Sequence, residues 1–294
     1  MSFKNPLQSK SEIYLRNIVV SAMIIFFSIF LIIPIVMALV GSFHNWNPLS
    51  GDFSFIGLEN YKTLIKSSLF WKSTYNTLIF CVVVIFFRVA LGLGIAYIIF
   101  SPMVKKKELF RTVFFMPVVT PLVAVAFVWK FMYHPQIGVF NNLLNLHVNW
   151  LMNSKTALLS IMIMTIWKDV GYAIVLFIAG LYSLPTDALE AAEIDGASTT
   201  QTFWKISWPL LKPMTLFVVI TSLISYLQAY VQVLILTEGG PGTSTYLSSY
   251  TIFNEAFVKY NFGYASAMSF VLFLITALLT YISFKVADDK EGSK

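Results

Sequence analysis

The sequence predicts an all-α polytopic membrane protein with six transmembrane helices. Hydrophobic residues make up 57% of the 294 residues and charged residues only 12%, a composition far too apolar for a soluble domain. Nearly uncharged runs of about twenty or more residues recur along the chain, which is the length that a helix needs to cross a bilayer. These runs lack period-two alternation and are about twice as long as a barrel strand. We place the six spans at 18–40, 76–100, 112–133, 157–182, 214–236 and 264–286.

The first span is predicted to remain in the mature protein. It is too long for the apolar core of a signal peptide, and no small-residue cleavage site follows it. The chain then divides into a tail (1–17), the first span (18–40), a loop (41–75), a core of five helices (76–286) and a second tail (287–294).

The third span contains two proline residues, Pro117 and Pro121. Proline removes a backbone hydrogen bond and clashes with the preceding turn, so we expect a kink at this point. A kink that serves packing is the default interpretation, and a kink that shapes a gate is the alternative.

Lysine and arginine are distributed unevenly between the two sides of these spans. Of the 20 such residues, twelve lie on the side of the N-terminus, five on the other side and three within spans. Cytoplasmic segments carry the excess of Lys and Arg, so both termini and the loop 183–213 are predicted to be cytoplasmic, and loop 41–75 extracytoplasmic. The net charge of +6 therefore indicates orientation in a membrane and not binding to nucleic acid.

The loop 183–213 is unusually acidic and is predicted to hold two short helices. Four of the chain's fourteen Asp and Glu residues lie close together in it. Pro185 suits a first helical turn, and Gly196 suits the left-handed residue that ends a helix. Ser198 and Gln201 have the spacing of a capping box, which starts a second helix.

The second loop helix is predicted to turn the chain into span five. Phe203, Ile206 and Leu210 recur at helical spacing and form one apolar face. Pro209 and Pro213 follow, and we expect them to end the helix.

The first loop helix combines small residues with carboxylates. Ala191 and Ala192 allow another backbone to approach closely, while Asp187 and Glu190 lie near the positive end of the helix dipole. Two interpretations fit this pattern. The helix is either a knob that docks in a cleft of another protein or a solvated helix that closes the bundle.

The loop also matches a known motif. It has Glu190-Ala191-Ala192, three residues, Gly196, nine residues, Ile206, one residue, and then Trp208-Pro209. These spacings resemble the cytoplasmic signature of permease subunits in binding-protein-dependent ABC importers, with Trp where that family usually has Leu.

Further segments are similar to sugar permeases of the maltose-permease type, namely FIGLENY (55–61), Trp129 with Gly138 and Asn141, TEGGPGTST (237–245) and FGYASAMS (262–269). The resemblance covers roughly residues 55–285, and six spans make the chain similar to the shorter members of the group.

The resemblance implies a type I ABC importer permease fold in the cytoplasmic (inner) membrane of a prokaryote. The first loop helix would be a coupling helix seated in a cytoplasmic ATPase subunit. Its coupling positions are Glu190, Ala191, Ala192, Asp195 and Gly196. The expected partners are two copies of the ATPase, a second homologous permease subunit, an extracytoplasmic solute-binding protein and a sugar. ATP and Mg²⁺ would be bound by the ATPase, so we expect no cofactor in this chain, which lacks the G-x-x-x-x-G-K-[ST] phosphate loop.

A polar stripe in span five is a candidate lining of the solute pathway. Thr221, Ser225, Gln228 and Gln232 lie within a ~60° sector of one helix face. Hydroxyl and amide groups are costly in hydrocarbon unless they are paired or face water, and they suit the hydroxyls of a sugar. Hydrogen bonding between helices is the alternative.

Charged side chains within spans two and four are further candidates. Lys168, Asp169 and Tyr172 lie in span four and Arg88 in span two. Charges inside a membrane usually face a cavity or a partner. Lys168 and Asp169 point about 100° apart and should not neutralise each other fully. An Arg88–Asp169 pair would be structural, whereas an unpaired Arg88 would favour an anionic solute such as an acidic oligosaccharide or glycerol phosphate.

Three classes of function can be compared with these sequence features. The first is a permease subunit of an ABC importer for a sugar, with an oligosaccharide as the expected cargo. The second is a stand-alone secondary transporter, against which the docking-type loop and the lack of an internal repeat argue. The third is a membrane enzyme, and the sequence shows no catalytic constellation near a span end.

Overall fold

The structure is a computed structural model that describes residues 10–288. It is built almost entirely of helices, with one two-stranded sheet. The predicted tails 1–17 and 287–294 lie outside the described residues at positions 1–9 and 289–294. The all-α prediction is confirmed.

The described residues contain four to six candidate membrane spans. Four are single helices, Ile13–Gly41, Ser68–Phe100, Ala157–Tyr182 and Phe262–Lys285. Two more are bent pairs, Lys107–Val119 with Leu122–Met132 and Thr199–Leu210 with Lys212–Leu227. The prediction of six spans agrees with this arrangement if each bent pair crosses once.

The chain divides into two compact units. The first consists of residues up to Lys66 together with Glu255–Phe270, and the second of Ser67–Asn254 together with the chain from Val271. The chain passes from one unit to the other at 66/67, at 254/255 and at 270/271, the last point lying inside the final helix, α15 (Phe262–Asp288).

The first unit begins with a long, lipid-exposed helix. Its parts are α1 (Lys10–Phe27), a π-helical segment (Ser28–Ile32) and α2 (Ile33–Gly41). None of its most apolar 18-residue window is buried within the chain, which suits a helix surrounded by lipid. The helix starts at Lys10, so residues 10–17 of the predicted tail are helical.

The predicted loop 41–75 is folded over most of its length. It holds β1 (His44–Asn47), β2 (Asp52–Phe55) and α3 (Glu59–Lys66), with the two strands antiparallel and His44 opposite Phe55. The Asn60 side-chain amide donates to the carbonyl oxygens of Ser42 at 2.9 Å and His44 at 3.0 Å. These bonds join α3 to the start of the hairpin and satisfy backbone groups that pairing leaves free.

The second unit contains the bundle that carries the candidate sites. Its first helices are α4 (Ser68–Phe100), α5 (Lys107–Val119), α6 (Leu122–Met132), α7 (Val139–Leu144) and α8 (Ala157–Tyr182). The loop and the remaining helices are α9 (Thr186–Ile194), α10 (Thr199–Thr202), a π-helical segment (Phe203–Ser207), α11 (Trp208–Leu210), α12 (Lys212–Leu227), α13 (Val231–Leu236) and α14 (Ser248–Phe253). A third π-helical segment (Asn254–Val258) follows α14.

Helix α4 starts at Ser68, eight residues before the predicted span. The Ser67 hydroxyl caps it by accepting the Phe70 N–H at 3.2 Å. Residues 68–75 were outside the prediction because they include polar side chains, and two of these contact a distant segment. Lys72 Nζ donates to the Thr243 hydroxyl at 2.7 Å, and the Thr74 hydroxyl accepts from the Ser248 hydroxyl at 3.4 Å. The Asn76 side chain, at the predicted start of the span, donates to the carbonyls of Ser244 and Tyr246.

Helix α8 packs closely between α4 and α5 because glycines lie at both contacts. A side chain at Gly92 of α4 would collide with Ala173, and one at Gly171 would overlap the Phe114 carbonyl of α5. Small residues allow such close approach in membrane bundles. Two apolar clusters fill the bundle. One is centred on Phe80, Ile161 and Val233, and the other on Leu93, Ile174, Phe177 and Leu211.

The predicted kink in span three is a sharp break. Helices α5 and α6 meet at an angle of 95°, with Pro117 inside α5 and Pro121 capping α6. The Thr120 hydroxyl donates to the Pro117 carbonyl at 2.7 Å. The hydroxyl thereby satisfies a carbonyl that the break frees from helical bonding.

Candidate functional site

The loop 183–213 forms the two helices that its sequence predicts. The first, α9, has Pro185 at its N-cap and ends at Ile194, with Asp195 as its C-cap. Gly196 then adopts a left-handed φ of 71°. The Gly196 N–H donates to Glu193 O at 3.1 Å and the Ala197 N–H to Ala192 O at 2.9 Å, which is the Schellman pattern.

The second loop helix starts with the predicted capping box. The Ser198 hydroxyl accepts the Gln201 N–H at 3.3 Å, and the Gln201 side chain accepts the Ser198 N–H at 2.8 Å. The predicted apolar face is wrong at its last position, since Leu210 is 44% exposed and Leu211 only 2%. The π-helical turn 203–207 shifts the register by about one residue, so the buried position falls one residue later.

Helix α9 has an inner and an outer face. Ala192 is only 6% exposed, and Leu189 packs against the apolar cluster around Phe177. Glu190 and Ala191 lie on the exposed side. The small Ala192 side chain therefore packs α9 against its own chain, and its role as a coupling position stays a prediction.

The outer face of α9 carries unpaired charge and an exposed apolar side chain. The carboxylates of Asp187, Glu190, Glu193 and Asp195 are exposed. None of them forms an ion pair within residues 10–288. Ile194 is 86% exposed, and the sequence analysis missed it because one apolar residue at a helix end carries no periodic signal. Acidic groups around an exposed isoleucine are a surface suited to a protein partner.

The loop is braced against the ends of α4 and α8. The Tyr97 hydroxyl of α4 donates to Thr199 O at 3.2 Å, and the Tyr97 ring meets the Phe203 ring at 4.6 Å between centroids. Leu211 is buried beside Gly180 of α8. The loop is therefore in direct contact with both helices.

The predicted polar stripe of span five is interrupted. The span is two helices, α12 and α13, separated at residues 228–230. Ser225 and Gln228 are exposed, while Thr221 donates to Phe217 O of its own helix at 2.7 Å. Gln232 is only 6% exposed and lies on α13, beyond the break, and its part in the solute pathway stays a prediction.

Contacts with the following segment stabilise the break in span five. The Ser249 hydroxyl donates to Leu227 O at 3.0 Å. The Tyr230 ring stacks on Phe253 at 5.4 Å. Neither Ser249 nor Phe253 is near in sequence, which is why a window of hydropathy reads 214–236 as one span.

Arg88 is the centre of a buried polar cluster. It is 7% exposed, and its Nη1 donates to the Ser222 hydroxyl at 2.9 Å and the Tyr226 hydroxyl at 3.2 Å. The guanidinium also lies 5.5 Å from the Tyr172 ring centroid and 5.7 Å from that of Tyr226. Aromatic faces and hydroxyls thus stabilise its charge in place of a carboxylate.

Asp169 joins this cluster through the hydroxyl of Tyr226. That hydroxyl donates to Asp169 Oδ2 at 3.1 Å, and Lys168 Nζ lies 3.7 Å from Asp169 Oδ1. The prediction that Lys168 and Asp169 point about 100° apart does not keep their charges apart, because the long Lys168 side chain reaches Asp169. Lys168 Nζ also donates to Val118 O at 3.3 Å.

The four groups form one network across three helices. Arg88 belongs to α4, Lys168 and Asp169 to α8, and Tyr226 to α12. The predicted residues do come together, and Ser222 and Tyr226, which connect them, are not among the predicted site residues. The available signal is their i, i+4 spacing on a face about 110° around the helix from the exposed stripe.

Comparison with known proteins identifies a family and similar transport proteins. The family described as "Binding-protein-dependent transport system inner membrane component" matches residues 88–289. The probable ABC transporter permease protein YurN of Bacillus subtilis (strain 168) is 34% identical, over 88% of this chain and 91% of its own length. The multiple sugar-binding transport system permease protein MsmF of Streptococcus mutans serotype c is 32% identical, over 88% of this chain and 93% of its own.

A solved structure shares the fold. It is a chain in the crystal structure of a bacterial ABC transporter involved in the import of the acidic polysaccharide alginate. Its TM-score is 0.81 at 20% identity, covering 94% of this chain and 96% of that one. The predicted ABC importer permease fold is confirmed. The chain is an integral membrane protein and belongs to the family of binding-protein-dependent transport system inner membrane components.

Proposed function

We propose that this chain is a transmembrane permease subunit of an ATP-driven sugar importer. Family membership and the multiple-sugar permease relative support the class of cargo. The cargo would be delivered by an extracytoplasmic solute-binding protein and cross between this chain and a second, homologous permease subunit.

The observation that carries the proposal is the construction of α9. Its inner face is packed on the bundle, while its outer face presents four exposed carboxylates and an exposed Ile194. A packed inner face behind an outer face whose carboxylates form no ion pair within residues 10–288 suits docking to a partner. In the proposed complex α9 is the coupling helix, seated in a cytoplasmic ATPase subunit that binds ATP and Mg²⁺.

Coupling follows from the bracing of the loop. Closure of two ATPase subunits would move α9, and Tyr97 and Leu211 would transmit that motion to α4 and α8. The cluster of Arg88, Asp169 and Tyr226 ties α4, α8 and α12 together, so these helices would move as one body. Loop motion would thereby become a change in access to the pathway.

A neutral sugar suits the exposed polar groups better than an anion does. Arg88 is buried, whereas the Asp169 side chain is 25% exposed. A carboxylate accepts hydrogen bonds from sugar hydroxyls but repels an anionic solute. Ser225 and Gln228 add neutral donors and acceptors along α12. An acidic oligosaccharide or glycerol phosphate is the second candidate, in which case Arg88 and Lys168 would have to become accessible during transport.

The experiment is uptake into proteoliposomes that contain the chain with its ATPase, partner permease and binding protein. Gly196→Val should abolish coupling, because a residue with a side chain pays about 1–2 kcal/mol to adopt the left-handed conformation. The effect is conformational, since no neighbouring atom occupies the space that the side chain would fill. Glu190→Lys should weaken ATPase docking. Both variants should reduce sugar uptake and substrate-stimulated ATP hydrolysis while the chain remains inserted.

The matched control is Glu59→Lys, which makes the same charge change on an exposed glutamate of α3. It should leave ATP hydrolysis at the level of the unchanged protein. Uptake that survives both loop variants would contradict the docking role, and uptake by the purified chain without an ATPase would show a stand-alone transporter.

A further inference from the structure

A groove between α5 and α8 lies at the end of the bundle that carries the coupling loop. It encloses about 260 Å³ and is lined by Arg111, Val175, Ile178, Ala179 and Tyr182. The four α8 residues recur at i, i+3, i+4 and i+7, so they form one stripe about 10 Å long. The groove is thus an apolar slot with a guanidinium at one end.

Aromatic rings and cations form a layer at that end of the groove. The Arg111 guanidinium lies 5.3 Å from the centroid of the Tyr182 ring. The other neighbour of Tyr182 is the Phe100 ring, at 5.2 Å, and Lys107 Nζ lies 5.7 Å from the Phe100 centroid. Rings between apolar and charged surroundings are typical of the headgroup level of a membrane.

Basic side chains beside this layer have donor groups without acceptors in the described part of the chain. Arg111 pairs through Nη1 with Glu108 at 2.6 Å, but its Nε is buried without an acceptor within the described part of the chain. The side chains of Lys105 and Lys106 are exposed and form no ion pair with residues 10–288. These two ammonium groups, together with the 27% exposed Arg111 side chain, are available to a bound anion.

We propose that this groove binds an anionic phospholipid. Its phosphate would be held by Arg111 together with Lys105 and Lys106, and one acyl chain would lie in the slot along α8. Clustered Lys and Arg beside a membrane span attract anionic headgroups. The apolar slot selects a lipid over a soluble phosphate, because only a lipid brings a hydrocarbon chain to cover it.

The test uses the purified importer in detergent with phosphatidylglycerol as the probe. Retained lipid is counted by native mass spectrometry, and affinity is measured by thermal-shift titration. Arg111→Gln should weaken binding about five- to tenfold, since each cation near an anionic headgroup contributes on that scale. Lys155→Gln, which removes one exposed positive charge from the predicted outer side, is the control and should not change it.

A second variant tests the slot without altering charge. Ala179 is exposed, so Ala179→Phe should fill the groove, leave the core intact and also reduce lipid retention. The inference is overturned if phosphatidylcholine binds as tightly as phosphatidylglycerol, or if neither variant reduces retention. It is equally overturned if inorganic phosphate protects the protein as well as the lipid does. The readout is lipid binding, so failure of the proposed transport function would leave this result unaffected.

Discussion

The buried cluster around Arg88 and the outer face of α9 use charged residues in opposite ways. In the cluster, each charge has partners within the chain, and a single hydroxyl, that of Tyr226, connects Arg88 to Asp169. On α9 the carboxylates are exposed and form no ion pair within residues 10–288. A charge in the bilayer must be satisfied by the fold itself, whereas a charge on a cytoplasmic surface remains free for a partner.

This difference predicts that equivalent changes affect stability in the first region and association in the second. The variants below test that separation, in order of decreasing effect on the free energy of unfolding.

Asp169→Asn should have the largest effect. It leaves Lys168 without its carboxylate partner and removes the charged acceptor of the Tyr226 hydroxyl, and breaking a fully buried pair costs about 3–5 kcal/mol. Because the Asp169 side chain is 25% exposed, we expect about 2–3 kcal/mol, measured as a lower unfolding temperature in detergent. Asp187→Asn makes the same substitution on α9 and should leave that temperature unchanged. Equal shifts for the two variants would contradict the distinction between the regions.

Tyr226→Phe should have an intermediate effect. It keeps the ring beside Arg88 and removes only the hydroxyl that accepts from Arg88 and donates to Asp169. We expect a loss of about 1 kcal/mol, since hydrogen bonds in membrane bundles contribute modestly. Tyr172→Phe is the control, because Tyr172 meets Arg88 through its ring face. A larger loss for Tyr172→Phe than for Tyr226→Phe would show that the hydroxyl bridge does not hold the cluster.

Ile194→Ser should have the smallest effect on stability and a clear effect on association. The side chain is 86% exposed, so its loss removes almost no packing within the chain. Burial of an isoleucine in a partner contributes about 1.5–3 kcal/mol, and binding of the ATPase should weaken by about tenfold or more. Ile13→Ser, an exposed isoleucine on α1, is the control in the same pull-down assay. Undiminished ATPase binding by Ile194→Ser would remove this residue from the docking surface.

In the loop 183–213, sequence patterns within a few residues predict most of the local structure. Gly196 at a left-handed position and the box of Ser198 with Gln201 depend on residues within four positions of each other, and both were predicted. Leu210 was placed wrongly because a π-helical turn upstream shifted the register by about one residue. No pattern in the sequence marks that turn.

Span five contains a break that local sequence patterns do not predict. The composition of 214–236 predicts one helix, yet it breaks at 228–230, where Ser249 donates to Leu227 O and Phe253 stacks on Tyr230. The start of α4 at 68–75 falls within the predicted loop, because the partners of its polar side chains, Thr243 and Ser248, lie far along the chain.

The sequence by itself determined the all-α membrane class, the two helices of the loop 183–213 and the family, because hydropathy, charge asymmetry, capping and a local motif act over a few turns of one segment. Tertiary structure alone decided which polar residues meet. It brought Arg88, Asp169 and Tyr226 into one network, turned Ala192 inward and left Ile194 exposed. The physical reason is that a polar group in hydrocarbon takes whichever partner the packing of helices brings within about 3 Å, and that packing depends on contacts between segments many residues apart.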